Sequence, residues 1–191
     1  MAYYSHEDLA KMGFKSLGKN VQISTKASLY NCDLMEIGDF SRIDDFCIFS
    51  GKIRIGNFVH ITPMCLIAGG DPGITINDFC TLAYGVKIFS QSDDYSGATL
   101  TNSLIPKKYK KEFFAPVYLG RHVILGTNTV VLPGVHIGEG CSSGAMALIH
   151  RSTPPWGIYT GIPAKRVKER KKDLLELEKI FIHNLQKNDG S

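Results

Sequence analysis

The residues able to do chemistry are few and unevenly placed. Asp93 and Asp94 stand side by side in SQSDDYSGATLTNSLIPKKYKKEFFAP, a long polar stretch. A carboxylate there can accept a proton and orient a nucleophile, or it can cap a turn. Side chains one residue apart do not easily face one point, so one of the two is expected to act, with Asp94 slightly ahead. His60 sits just before Ile61 and His122 just before Val123. An outward imidazole at such a position can hydrogen-bond a ligand or orient a carboxylate, and His60 ranks first. His6, His136, His150 and His183 have no supporting context. Lys165, Arg166, Lys168, Arg170, Lys171 and Lys172 form a basic run that can grip phosphate as point charges and forks. The five cysteines (Cys32, Cys47, Cys65, Cys80, Cys141) are odd in number and show no CxxC spacing. A disulfide framework and a tetrahedral zinc site therefore lack support, and no other ligand cluster suggests a metal.

A repeat of six must position these residues. Leu17, Ile23 and Leu29 open it; Ile37, Ile43, Phe49, Ile55, Ile61 and Ile67 follow. It resumes at Ile76, Leu82 and Ile88, and again at Leu119, Leu125, Val131, Ile137, Ser143 and Ile149. The residue four positions after these is usually small or β-branched, and four of the five cysteines fall in that slot as reduced core fillers. A period of six is neither helix nor simple alternation. It fits a short strand plus a turn, three per triangular coil, with coils stacked in parallel at about 4.8 Å. Eighteen hexads predict an all-β fold, a parallel β-helix of about six coils and roughly 29 Å. One coil cannot bury its apolar face alone, so stacking supplies the core.

Two breaks interrupt the register: AGGDPG after Ile67, a turn-rich insertion of about three residues, and the long segment after Ile88. A loop of that length in a compact repeat is usually functional or disordered. The expected organisation is a helical segment over 1–16, the β-helix over 17–164 with an active-site loop at 89–116, and an amphipathic helix with tail over 165–191. Ser5 is the expected N-cap of the first helix and Gly13 its stop. In the last, apolar residues at 167, 174, 177, 181 and 185 lie among charges.

Composition removes several classes. A formal charge of +4 is too small to argue for nucleic acid. No apolar run reaches the ~18 residues of a membrane span. The start, MAYYSHEDLAKMGFKS, lacks the apolar core of a secretory signal, so the cytoplasm is the expected compartment.

The hexads followed by PPWGIYTGIPAKRVKER resemble the left-handed β-helix, hexapeptide-repeat acyltransferases. PVYLGRHVILGTNTVVLPGVHIGEG and the closing GIPAKRV carry the likeness, which spans nearly the whole chain. MGFKS, IDDFCIFSGKIRIG, SDDYSG and the basic terminal segment are similar to the branch that N-acylates the 4-amino group of dTDP-4-amino-4,6-dideoxyglucose in the anthrose pathway. The resemblance implies a homotrimer with sites in the grooves between subunits, an acyl-CoA along each groove and a nucleotide-linked amino sugar as acceptor. It places Gly126, Gly144 and Ala145 along the pantetheine arm, and Lys165 and Arg166 near the phosphates of coenzyme A. O-acetylating relatives carry a histidine base in the loop where this chain has Asp93, followed by Asp94. An amine brings its own lone pair and needs only a carboxylate to orient it and take a proton, so aspartate for histidine points to an amino acceptor. Small residues let backbone N–H groups approach the thioester, and the turn itself already accounts for most of the glycines.

Tyr3, Tyr4, Lys15, Arg42 and Lys52 are candidate nucleotide contacts. Lys107, Lys108, Lys110 and Lys111 are others, although a run of lysines on a loop is usually only solvated. The expected function is acyl-CoA-dependent N-acylation of a nucleotide-linked amino-deoxysugar for surface polysaccharide such as lipopolysaccharide. The alternatives are a sugar O-acetyltransferase, against which Asp93 and Asp94 speak, and a non-catalytic β-helix scaffold. A scaffold would need neither the basic GIPAK follow-on nor the acidic loop.

Overall fold

The computed structural model describes residues 2–189. Its hexads form three walls of short parallel strands. Wall one stacks Gln22–Ile23, Arg42–Ile43, His60–Ile61, Thr81–Leu82, Ile124–Leu125, Ser142–Ser143 and Gly157–Thr160. Wall two stacks Ser28–Tyr30, residues 48–50 and 66–68, Lys87–Phe89, Val130–Val131 and Leu148–Ile149. Wall three begins at Ser16–Leu17 and Met35–Ile37 and ends at His136–Ile137, which bridges to Thr153. Six coils are complete, and a seventh rung stands on wall one.

Each wall turns one residue of a rung inward and the next outward. Ile23, Ile43, Ile61, Leu82 and Leu125 have no exposed surface, and neither do Cys47, Cys65 and Cys80. The buried thiols act as core fillers that donate to the next coil, Cys47 to the Thr62 carbonyl at 3.2 Å and Cys80 to that of Gly120 at 3.1 Å. Burial pushes the Cys80 thiol up to about 12, so it stays protonated. The inward Ser143 is satisfied within the stack: it meets the Thr129 hydroxyl at 2.8 Å and accepts from Gly126 N–H at 3.0 Å.

Backbone meets backbone where coils touch at the wall ends. A Cβ on Gly38 would lie 2.5 Å from the Gly56 carbonyl carbon, and one on Gly126 would lie 2.6 Å from that of Gly144. The corner between walls three and one is turned by residues at positive φ, among them Phe40, Phe58, Phe79 and His122. Each costs roughly 1 kcal/mol outside glycine. Stacking offsets this: Phe40 lies 5.0 Å from Phe58, Phe58 5.0 Å from Phe79, and Phe79 5.2 Å from His122.

Helix α1, His6–Lys11, is capped by Ser5, whose hydroxyl accepts from Asp8 N–H. The AGGDPG segment does not bulge outward as an inserted turn. It lies inside the strand Leu66–Ile76, paired with Ile48–Ile55, and the register slips near Gly51 and Gly70. The basic run is not the start of a helix either. Lys165–Glu169 is a strand, antiparallel to Gly157–Thr160, and helix α2 spans Leu174–Asp189. The last wall-one strand leaves an open edge, and that edge captures the basic segment before a helix can form.

The long loop leaves after Phe89. Its base is an antiparallel ladder, Gln91–Ser92 against Phe113–Phe114, and the chain returns to wall three at Val117–Leu119.

Gly38→Ala is expected to destabilise the fold by about 1–3 kcal/mol, read as a lower denaturant midpoint at unchanged slope. A wild-type midpoint would contradict the coil contact.

Candidate functional site

Wall two and the loop enclose a cleft of about 950 Å³. Leu66, Phe89, Leu148 and His150 form its floor, and Asp93, Tyr95 and Glu112 its loop side. The adjacent acids are thereby separated. Asp94 spends its oxygens inside the loop, accepting from Ser96 N–H and the Thr99 hydroxyl, both at 2.9 Å. Those bonds from Ser96 and Thr99 hold its carboxyl down at about 2. Thr99 in turn accepts from Lys111 N–H at 3.2 Å, so Asp94 ties the two limbs of the loop together. Spacing alone puts Asp94 slightly ahead; the geometry instead leaves Asp93 facing the cleft.

A second polar group lies on wall one. Arg42 and His60 are register partners on successive rungs and point outward together. Between them sits Asp44, whose side chain is 2% exposed. Arg42 Nε donates to Asp44 Oδ1 at 2.7 Å and Nη2 to Oδ2 at 3.2 Å, while His60 Nε2 lies 2.9 Å from Oδ2. The Tyr3 hydroxyl reaches Oδ1 at 3.4 Å, and the Arg42 guanidinium lies over the Tyr3 ring. Residues 2–4 are pinned there by Tyr4 N–H donating to the Ile23 carbonyl and Thr25 N–H to that of Ala2. Burial opposes the charge on Asp44, but the hydrogen bonds from Arg42 and His60 outweigh it and hold the carboxyl below the usual range. The carboxylate that His60 meets is that of Asp44, a residue not among the sequence candidates. The signal was legible: Asp44 follows the inward Ile43, a position held by Gly in many other hexads.

The other candidates divide by what they touch. His122 is buried, stacked on Phe79, with Nε2 2.7 Å from Glu178 of α2. Arg121 bridges Asp78 and Glu178. This corner holds the helix. Arg170 also serves the corner, donating to the His122 and Gly140 carbonyls at 2.6 and 3.0 Å. Lys15 pairs with Glu36, and Tyr4 donates weakly to the Thr25 carbonyl. The aliphatic stem of Lys52 packs beside Gly73. Gly126 and Gly144 stack coils, and Ala145 beside them is exposed at the wall edge. Arg166 pairs with Glu169 at 2.5 Å. Lys165 lines a small cavity of about 270 Å³ with His150 and Tyr159. His150, which sequence context did not support, thus borders both this cavity and the cleft. In the loop, Lys107 and Lys108 lie on a short 3-10 turn, and Lys108 covers the Tyr109 ring. Lys110 differs, paired with Glu112 at 3.0 Å. Among the described residues, no group of three or more His, Cys, Asp or Glu could hold a metal. No helix among them is long and apolar enough to cross a membrane.

No family model matches the chain. A dTDP-4-amino-4,6-dideoxy-D-glucose acyltransferase of Escherichia coli is 42% identical over 184 residues, 95% of each chain. AntD, an N-acyltransferase from Bacillus cereus solved with dTDP and 3-hydroxybutyryl-CoA, superposes with a TM-score of 0.95 at 42% identity, covering 97% of this chain and 100% of that one. A variant of it in complex with dTDP-4-amino-4,6-dideoxyglucose and coenzyme A gives 0.95 at 43%, covering 96% and 98%. A hexapeptide-repeat acetyltransferase from Vibrio cholerae, at 20% identity and 0.61, covering 87% and 76%, shares the fold.

The pH dependence of stability reports on Asp44. Its folded carboxyl lies below the unfolded value of about 3.9, so its contribution is present above that value and is lost as pH falls through the folded one. Asp44→Asn is expected to lower the melting temperature at pH 7 and to flatten the acid limb below pH ~4. An unchanged acid limb would contradict the assignment.

Proposed function

The chain belongs to the left-handed β-helix, hexapeptide-repeat acyltransferases, and from that premise we propose that it transfers an acyl group from acyl-CoA to the 4-amino group of dTDP-4-amino-4,6-dideoxyglucose. The observation that carries this reading is the likeness over 95% of both chains to an enzyme of that specificity. The cleft chemistry supports it. Asp93, not a histidine, faces the cleft from the loop. A sugar amine arrives largely as an ammonium at neutral pH and must lose a proton before its lone pair is free. A carboxylate beside it receives or shares that proton and orients the nitrogen. The amine then bonds to the thioester carbonyl carbon, the carbon–sulfur bond breaks, and the nitrogen's remaining surplus proton leaves with the thiol.

The wall edge at Gly126, Gly144 and Ala145 suits an extended pantetheine arm, because these three positions themselves carry nothing longer than a methyl and leave the backbone open to close approach. Lys165 and Arg166 lie beyond it to meet phosphate. The Arg42–Asp44–His60 group, with Tyr3 over it, is a second polar surface for the acceptor. It lies on a different wall from the cleft, and a homotrimer with grooves between copies would bring the loop of one copy to wall one of the next. The place of such an enzyme is surface polysaccharide assembly, as in lipopolysaccharide, from a nucleotide-sugar pool in the cytoplasm.

Free thiol release against dTDP- and UDP-linked amino sugars with several acyl-CoAs tests the reading. Turnover is expected with dTDP-4-amino-4,6-dideoxyglucose and not with its 4-hydroxy counterpart; turnover on the hydroxy sugar alone would make the protein an O-acyltransferase. Asp93→Asn should lower kcat more than about tenfold with the acyl-CoA KM unchanged. Asp94→Asn should lower kcat together with loop order, seen as faster proteolysis of residues 93–112. Lys165→Ala should raise the acyl-CoA KM alone; a rise in the acceptor KM instead would move the coenzyme A site elsewhere.

A further inference from the structure

Of the loop lysines, one is not solvated. The Lys110 side chain is 6% exposed, and its ammonium lies 3.0 Å from Oε1 of Glu112, itself 25% exposed. Withdrawing an ammonium from water costs several kcal/mol unless the pairing is good, and coil stacking gives no reason to place one here. The neighbouring geometry gives one. Gln91 pairs with Phe114 and Ser92 with Phe113. The next antiparallel position sets Asp93 opposite Glu112, and both line the cleft. Below, the ladder fixes Glu112. Behind, Lys110 holds one oxygen. Across the limbs, the Asp94–Thr99–Lys111 tie keeps the spacing. Among the described residues the other Glu112 oxygen has no protein partner.

We propose that Glu112, anchored by Lys110, is a specificity-determining residue that receives the acceptor's amino group as an ammonium opposite Asp93. The trio of Asp93, Glu112 and Lys110 carries one net negative charge at neutral pH, which matches one ammonium. A neutral hydroxyl offers no such balance and would leave a carboxylate oxygen without its donor. Lys110 is a positioning residue; it meets the ligand only through Glu112. This inference rests on the cleft being the amino-acceptor site.

The test measures thiol release with dTDP-4-amino-4,6-dideoxyglucose as acceptor across pH 6–9. Glu112→Gln is expected to raise the acceptor KM about tenfold or more, leave the acyl-CoA KM in place, and flatten the rise in acceptor KM as pH climbs past the amine's own pKa. Lys110→Met should reproduce a weaker form of that pattern, and Lys110→Arg should restore it towards wild type by keeping the ion pair. Where Glu112→Gln does not fold, Glu112→Asp with the same KM split serves instead. An unchanged acceptor KM, or equal rises in both KM values, overturns the inference. Absence of wild-type turnover on any amino sugar overturns the proposed function itself, a distinguishable result.

Discussion

Everything in this molecule depends on successive coils lying within van der Waals reach of each other's backbone. At Gly38 and Gly126 there is no room for a β-carbon. That closeness puts parallel strands in register at one spacing, rung after rung. It makes the outer surface a grid. Arg42 faces the same way as His60 because their rungs are partners, and not because either residue seeks the other. Asp44 can then be buried between them without strain, since donors stand on both sides at fixed height.

The grid has few free positions for chemistry, and the chain adds them in three ways. A loop leaves wall two and returns to wall three, closing on a two-residue ladder and on the bonds of Asp94 and Thr99. A short N-terminal segment lies against wall one and brings Tyr3 to Asp44. A terminal strand pairs with the last rung and carries Lys165 and Arg166. Helix α2 takes the remaining exposed corner, with Phe181 edge-on to Phe58 at 5.3 Å and Glu178 on His122 and Arg121. Rigid walls with a few anchored additions hold functional groups well, because the groups inherit the stiffness of the stack.

The repeat was legible because each inward aliphatic recurs at a fixed interval, and its burial follows that interval closely. The cysteines were legible for the same reason. What spacing could not convey was tertiary. The segment Lys165–Glu169 has charges enough for a helix face, but an unpaired strand edge nearby decides its conformation. AGGDPG reads as a turn, yet glycines at positive φ let it follow the strand beneath it. Asp93 and Asp94 are alike in sequence; only the positions of Ser96 and Thr99 tell them apart. His122 has the same pattern as His60, and a helix some fifty residues later covers one and not the other. Asp44 was readable in principle, as an acid in a slot that glycine often fills.

The most direct measurement is a crystal structure with dTDP-4-amino-4,6-dideoxyglucose and coenzyme A bound together. The account predicts the sugar nitrogen within about 3 Å of an Asp93 carboxylate oxygen, the Asp94 bonds to Ser96 and Thr99 intact, and the pantetheine chain along Gly126, Gly144 and Ala145. A nitrogen resting on Asp94, or a sugar seated away from the loop altogether, would contradict it.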